Sequence, residues 1–178
     1  MAQQELQVIL ASPGYEVDLL AEIKFQKTLS IVKQDGHVFW VSGRSDFLWW
    51  PQWQLQSVTQ LKIESISQAV RILRSQGKNW LNLDYKFHRR SALIQDGLPK
   101  FKIPSLTRAK ILPAIPCGAW FLEESGLLNF SKTISLYYPN GIIPIAEDKE
   151  APSRAYQKLD EVFFRIGKCP QKKHRVID

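Results

Sequence analysis

The sequence predicts a mixed α/β protein of the α+β type, built from small modules rather than from one large sheet. Three observations predict it. Short apolar runs of strand length are bounded by turn residues, longer segments carry apolar residues at helical spacing, and an Asp-Gly turn joins two of the short runs. The chain has 178 residues, 44% hydrophobic and 23% charged, which is the balance of a globular chain with a core and excludes a disordered or fibrous one. No apolar run reaches the roughly 18–20 residues of a membrane span, and the opening MAQQELQVIL lacks the features of a secretory signal. A cytoplasmic protein without a membrane partner is therefore expected. Cys117 and Cys169 are too few for a disulfide scaffold and are expected to be reduced.

Each element follows from its local pattern. Gln7–Ala11 reads as a strand, Ser12-Pro13-Gly14 as a turn, and Val17, Leu20, Ala21 and Lys24 recur at helical spacing. Leu29–Lys33 and His37–Val41 flank Gln34-Asp35-Gly36 as a hairpin, and Gln52–Thr59 alternates around Trp53 and Leu55 as a further strand. Strand, helix, strand, strand and strand fit a ferredoxin-like sandwich over residues 1–60. Ile63, Ile66, Ala69, Val70 and Leu73 then predict a helix that ends near Gly77, and Trp80–Tyr85 alternates like a strand. Pro99, Pro104, Pro113 and Pro116 make the following stretch a surface loop with short ordered pieces. Ala119–Leu122 and Ile134–Tyr138 read as strands separated by a turn at Glu123–Gly126, which completes a second α/β module over residues 61–148.

Residues 149–178 differ in kind. Ala155, Leu159, Val162, Phe163 and Ile166 form one apolar stripe of a helix that Pro152 and Ser153 open and Gly167 ends. Arg154, Lys158, Glu161 and Arg165 form the adjoining polar stripe, with Lys158 at the edge of the apolar face. After a basic linker, Val176-Ile177-Asp178 reads as the beginning of a strand.

The net charge of +7 is concentrated in one place. Residues 86–110 hold 7 basic side chains and 1 acidic one. Lys86, Arg89, Arg90, Lys100, Lys102, Arg108 and Lys110 are interleaved with Tyr85, Phe87, His88 and Phe101, a mixture suited to a polyanion whose bases can also stack. These residues are the candidate RNA contacts, and a solvated loop face is the alternative. Of the six tryptophans most are expected in the core; Trp49 and Trp50 are adjacent, so in an extended segment only one can face inward and the other is a candidate surface platform.

The segment Ala151-Pro152-Ser153-Arg154-Ala155-Tyr156-Gln157-Lys158-Leu159-Asp160-Glu161 resembles the opening of FtsJ-like ribose 2′-O-methyltransferase domains, whose pattern is Ser-Arg-Ala, an aromatic, Lys-Leu and an acid. The resemblance implies that Lys158 is the first, catalytic lysine of a Lys-Asp-Lys-Glu tetrad and that Val176-Ile177-Asp178 begins the S-adenosylmethionine motif, with Asp178 as a cofactor-binding position. The upstream part is similar to the subfamily that methylates a cytidine ribose in large-subunit ribosomal RNA, through Ser12-Pro13-Gly14-Tyr15-Glu16, Pro51-Gln52-Trp53 and the place of the Ser-Arg motif after two modules. It implies a ferredoxin-like domain, a short THUMP-like RNA-binding module and the first helix of a Rossmann-like methyltransferase domain. The expected function is RNA recognition for a methyltransferase that uses S-adenosylmethionine, with no cofactor held by residues 1–178 and no methylation by them alone. A module that binds RNA or protein without a catalytic half is the alternative.

An ammonium group beside a ribose 2′-hydroxyl orients it and favours negative charge developing on oxygen, the role expected of Lys158, while Arg154 is placed to contact a phosphate. His37, His88 and His174 are far apart, with no Cys-x-x-Cys or His-x-x-x-His spacing, so no metal is expected. There is no Gly-x-Ser-x-Gly elbow, Walker A loop or Gly-x-Gly-x-x-Gly, so hydrolase and nucleotide-binding motifs are absent.

Overall fold

The computed structural model describes residues 6–43, 45, 48–101, 118–134, 145–150, 153 and 155–166. Two compact units divide the chain, one drawn from Met1–Lys102 and Ile115–Ile142, the other from Ile103–Ala114 and Ile143–Asp178. The class is α+β, as the sequence predicts.

The first unit opens with β1 (Leu6–Ala11), α1 (Glu16–Phe25), β2 (Leu29–Asp35), β3 (Val38–Gly43) and β4 (Pro51–Gln56). Asp35 pairs with Val38 across Gly36 and His37, and Gly36 takes φ +58, which is why the Asp-Gly signal located this hairpin. The antiparallel strands lie in the order β2-β3-β1-β4, the order of a ferredoxin-like sheet, with β9 (Thr133–Ile134) added beyond β4. One crossover helix of that arrangement is present, α1. Between β3 and β4 the described residues 45 and 48–50 form no helix.

β4 ends at Gln56, Ser57 takes φ +50, and the chain then enters a second sheet. The single strand expected over Gln52–Thr59 is therefore two, β4 and β5 (Thr59–Lys62), because the backbone turns at Ser57. There follow α2 (Ile66–Gln76), β6 (Trp80–Asn82), α3 (His88–Asp96), β7 (Gly118–Glu124) and β8 (Leu127–Ser131), with sheet order β5-β8-β7-β6. α2 begins after Ile63 because Ser65 caps it, its Oγ accepting from Gln68 N–H at 3.1 Å.

The unit is layered as helix, sheet, sheet, helices. β1 shows why: Ile9 and Ala11 pack with Leu19 and Ile23 of α1, while Val8 and Leu10 point the other way. Between the sheets, Val8, Leu10, Val38, Trp40, Trp53 and Leu55 meet Leu83, Ala119 and Phe121. On the far face of the second sheet, Trp80, Trp120, Leu122 and Phe130 pack against Ala69, Leu73 and Ile94 of α2 and α3. Each large side chain buried in this way contributes about 1.5–3 kcal/mol. At the sheet edge the contact is polar. The buried Glu123 pairs with Lys33 and accepts from Gln60 (3.3 Å) and Asn129 (3.4 Å), and the Ser131 hydroxyl donates to the Gln56 carbonyl.

Several expectations are corrected. α1 buries Leu19 and Ile23, not the face through Val17, which is 76% exposed. α3 lies inside the basic stretch that was expected to be loop with short pieces, in the Pro-free segment before Pro99, anchored by buried Ser91 and Ile94. β8 was not anticipated as a strand; it pairs with both β5 and β7. The strand expected at Ile134–Tyr138 is present at Thr133–Ile134, and residues 135–138 lie outside the described ones. The boundary placed at residue 60 marks the passage from one sheet to the other, yet the sheets share a core and β9 returns to β4, so the first two modules form one compact unit.

In the second unit, α4 (Ala155–Ile166) forms where the apolar stripe predicts a helix, with Ser153 Oγ accepting from Ala155 N–H at 3.3 Å. Among the described side chains of α4, Tyr156 and Asp160 are buried, whereas Leu159 and Val162 of the expected buried stripe are 56% and 47% exposed. The Tyr156 hydroxyl accepts from Asp148 N–H at 2.5 Å, which accounts for part of that choice of face.

Candidate nucleic-acid interface

β6 stops at Asn82, but the chain continues beside β7, the Leu83 N–H donating to Trp120 O at 2.8 Å, and then turns tightly at Asp84, where the Tyr85 N–H donates to Leu83 O at 2.7 Å. Tyr85 is thereby set among aromatic rings, with edge contacts to His37 (5.7 Å), Phe121 (5.8 Å) and Trp40 (6.4 Å). Its hydroxyl donates to the Asp35 carbonyl at 3.2 Å. Lys86 pairs with the Asp35 carboxylate and places its ammonium 4.9 Å from the centre of the Tyr85 ring. Electrostatics follow from this arrangement. The hydrogen bond from Lys86 holds the Asp35 carboxyl below its ordinary value, and the same bond raises Lys86. Burial, and then the bond to Asp35, push the Tyr85 phenol up to about 12.

Beside this cluster lies a cleft of about 250 Å³. One wall is Asn82, Leu83, Asp84 and Tyr85; the other is Leu10 and His37, with Gln52 and Trp53 completing it. The Asn82 Oδ1 is buried and accepts no hydrogen bond. The Asp84 carboxylate is exposed and meets His88 Nδ1 at 2.7 Å. Phe87, which caps α3, holds the left-handed conformation at φ +56, a strained position for a bulky residue that costs on the order of 1–3 kcal/mol. With Asn82 Oδ1 shielded from solvent, what the cleft offers a ligand is the exposed Asp84 carboxylate, an apolar lining and flanking rings.

The candidate RNA residues are distributed unevenly. Lys86 is engaged with Asp35 and is not a free cation. Arg89 is exposed in the first turn of α3, Arg90 is half-buried with an unpartnered Nε, and Lys100 is exposed beyond the helix. Lys102, Arg108, Lys110, Arg154 and Asp178 lie outside the described residues. Lys158 is exposed on α4 in the second unit.

Of Trp49 and Trp50, of which only one can face inward in an extended segment, neither is buried. Trp49 is 77% exposed, and Trp50, also exposed, stacks on Tyr15 at 5.2 Å with 16° between the rings. The Glu22 carboxylate fixes both, accepting from the Trp49 N–H (2.6 Å) and the Trp50 N–H (3.2 Å). The other described tryptophans, at 40, 53, 80 and 120, are buried. Sequence reasoning missed Asp35, His37 and Asn82 as parts of the site. The Asp-Gly turn was the one signal at hand, and it announced a hairpin rather than a partner for Lys86.

Among the described residues no group of three or more His, Cys, Asp or Glu is placed to hold a metal ion, and no helix is long and apolar enough to cross a membrane. No protein-family model and no curated protein matches the chain.

Proposed function

We propose that this chain serves RNA recognition in a ribose 2′-O-methyltransferase that acts on large-subunit ribosomal RNA with S-adenosylmethionine as methyl donor. The observation that carries the reading is α4. The residues that resemble the methyltransferase opening fold as a helix with Lys158 at solvent, beside an apolar stripe whose Leu159 and Val162 are exposed and available for the sheet of a catalytic domain. On the first unit, Arg89, Lys100 and the cleft beside Tyr85 support RNA contact. Asp178, the position that the resemblance assigns to the cofactor, lies outside the described residues.

Lys158 brings an ammonium group to the 2′-hydroxyl, orients it and stabilises negative charge developing on its oxygen. Exposed Arg89 and Lys100 supply phosphate contacts that set the position of the strand without reading its sequence. The test is Lys158→Ala in the full-length protein. Methyl transfer to ribosomal RNA is expected to fall at least about 100-fold, the scale of one lost acid–base group, with RNA affinity and melting temperature unchanged. Full-length protein that binds RNA but transfers no methyl group before mutation points instead to a module that recognises RNA alone.

A further inference from the structure

We infer, resting on the RNA reading above, that a second cleft, at the C-terminal end of α2, clamps one backbone phosphate of the RNA between Lys78 and Lys132. This cleft measures about 250 Å³, and its lining is the segment 76–80 together with Gly118 and Lys132. Only the fold brings the two lysines to one place: Lys78 follows α2, and Lys132 lies between β8 and β9. Both are exposed, and neither is paired with an acid among the described residues. The lining holds no Asp or Glu, and neither does α2. Two ammonium groups without a counter-charge therefore face one cleft, and lysine holds a phosphate as a point charge, with no demand for bidentate geometry.

A helix C-terminus ordinarily disfavours an anion, because its last carbonyls carry the negative end of the helix dipole. Here the carbonyls beside the cleft are occupied. The Trp80 Nε1 donates to Leu73 O (2.8 Å) and Gly77 O (3.0 Å), and the Gly77 N–H donates to Leu73 O at 3.1 Å. The positive field also extends beyond the cleft. Arg74, in the last turn of α2, donates from Nη2 to Gly97 O at 2.6 Å at the end of α3, and exposed Lys100 follows three residues later. Cations thus run from the cleft across the ends of α2 and α3 to a residue already assigned to phosphate contact. Such contacts fix the position of a strand and do not read its bases.

The test combines Lys78→Ala and Lys132→Ala in the full-length protein, both at exposed positions where folding is not at stake. Lys24→Ala is the control, since Lys24 is exposed on α1, in the opposite outer layer. Fluorescence anisotropy with a single-stranded RNA over a range of salt is the readout, with melting curves for each variant. The double variant is expected to reduce the slope of log K against log salt by about 0.7, one phosphate contact, and to bind about fivefold more weakly at about 0.1 M salt. Melting temperature, and the slope of the control, should not change. A slope reduced by about 1.4 means two separate phosphates and overturns the shared clamp; an unchanged slope overturns the site. Either result leaves the RNA reading standing. Absence of RNA binding by wild type overturns the RNA reading instead. Titration with inorganic phosphate then decides: shifts of the Gly77 and Gly118 amide signals that vanish in the double variant keep the clamp with free phosphate as its ligand, and no shift overturns it.

Discussion

Gly118 and Gly77 face the same indole ring, and the structure predicts opposite outcomes for alanine at the two positions. Trp80 is fully buried, and its Nε1 donates to the carbonyls of Leu73 (2.8 Å) and Gly77 (3.0 Å), so the ring is held from one side. A Cβ at Gly118 sits 2.3 Å from Trp80 Cζ3 and 2.6 Å from the Ser131 carbonyl oxygen. Carbon atoms rest about 3.5–4.0 Å apart, so ring or strand must move by about 1 Å. Overpacking of this kind costs about 1–3 kcal/mol, and loss of one Trp80 hydrogen bond adds about 1 kcal/mol. Gly118→Ala is therefore expected to destabilise by about 3 kcal/mol, which for a chain of this size lowers Tm by roughly 6–12 °C. A Cβ at Gly77 meets the same ring at 3.6–3.8 Å, ordinary contact, and its φ of 176° is extended backbone that any residue adopts. Gly77→Ala should leave stability unchanged or raise it by under about 1 kcal/mol, through the unfolded chain. Thermal and urea unfolding followed by tryptophan fluorescence measure both. Equal stability of Gly118→Ala and wild type would refute the placement of Trp80 against β7, as would equal damage from the two substitutions.

Other predictions concern the polar contacts. Glu123→Ala leaves Lys33, Gln60 and Asn129 without their shared acceptor and should cost about 1–3 kcal/mol, read as a lower urea midpoint with an unchanged slope. Ser65→Ala removes the cap on α2 and should cost about 1 kcal/mol, or roughly 2–4 °C in Tm. The Asp35 carboxyl titrates below its ordinary value of 3.8, so its contribution is present above that pH and lost as pH falls through the lowered value. Asp35→Asn should be less stable than wild type at pH 7, and the difference should shrink as pH falls through the lowered value. Tyr85, raised to about 12, favours the fold below pH 10 and loses that contribution as pH rises toward 12. In an ultraviolet titration its phenol should ionise near pH 12, and Asp35→Asn should bring it down.

The parts of the fold that were legible in sequence are those whose signal is local. Asp35-Gly36 marks its own hairpin, and Ile66, Ala69, Val70 and Leu73 mark the buried face of α2 with Gly77 at its end. β8 was illegible for a physical reason. Both its faces are covered, so the polar side is occupied by Asn129, buried in the network around Glu123, and the strand shows no alternation between core and solvent. α1 misled because Val17 and Leu20 are apolar at helical spacing too, and only the sheet beneath decides that Leu19 and Ile23 face it. The candidate site was half legible. Its basic stretch is visible in composition, but the charge of Lys86 is answered by Asp35, 51 residues away, and the cleft is built from segments around residues 10, 37, 52 and 83 that only the pairing of two sheets brings together.

The central claim, that this chain recognises RNA, is tested most directly by the salt dependence of its affinity for single-stranded RNA. With about three phosphates neutralised by Arg89, Lys100 and their neighbours, log K should fall linearly with log salt with a slope of about −2, and Arg89→Ala should reduce the slope by about 0.7. Affinity that does not change with salt, or no binding at low salt, contradicts the account.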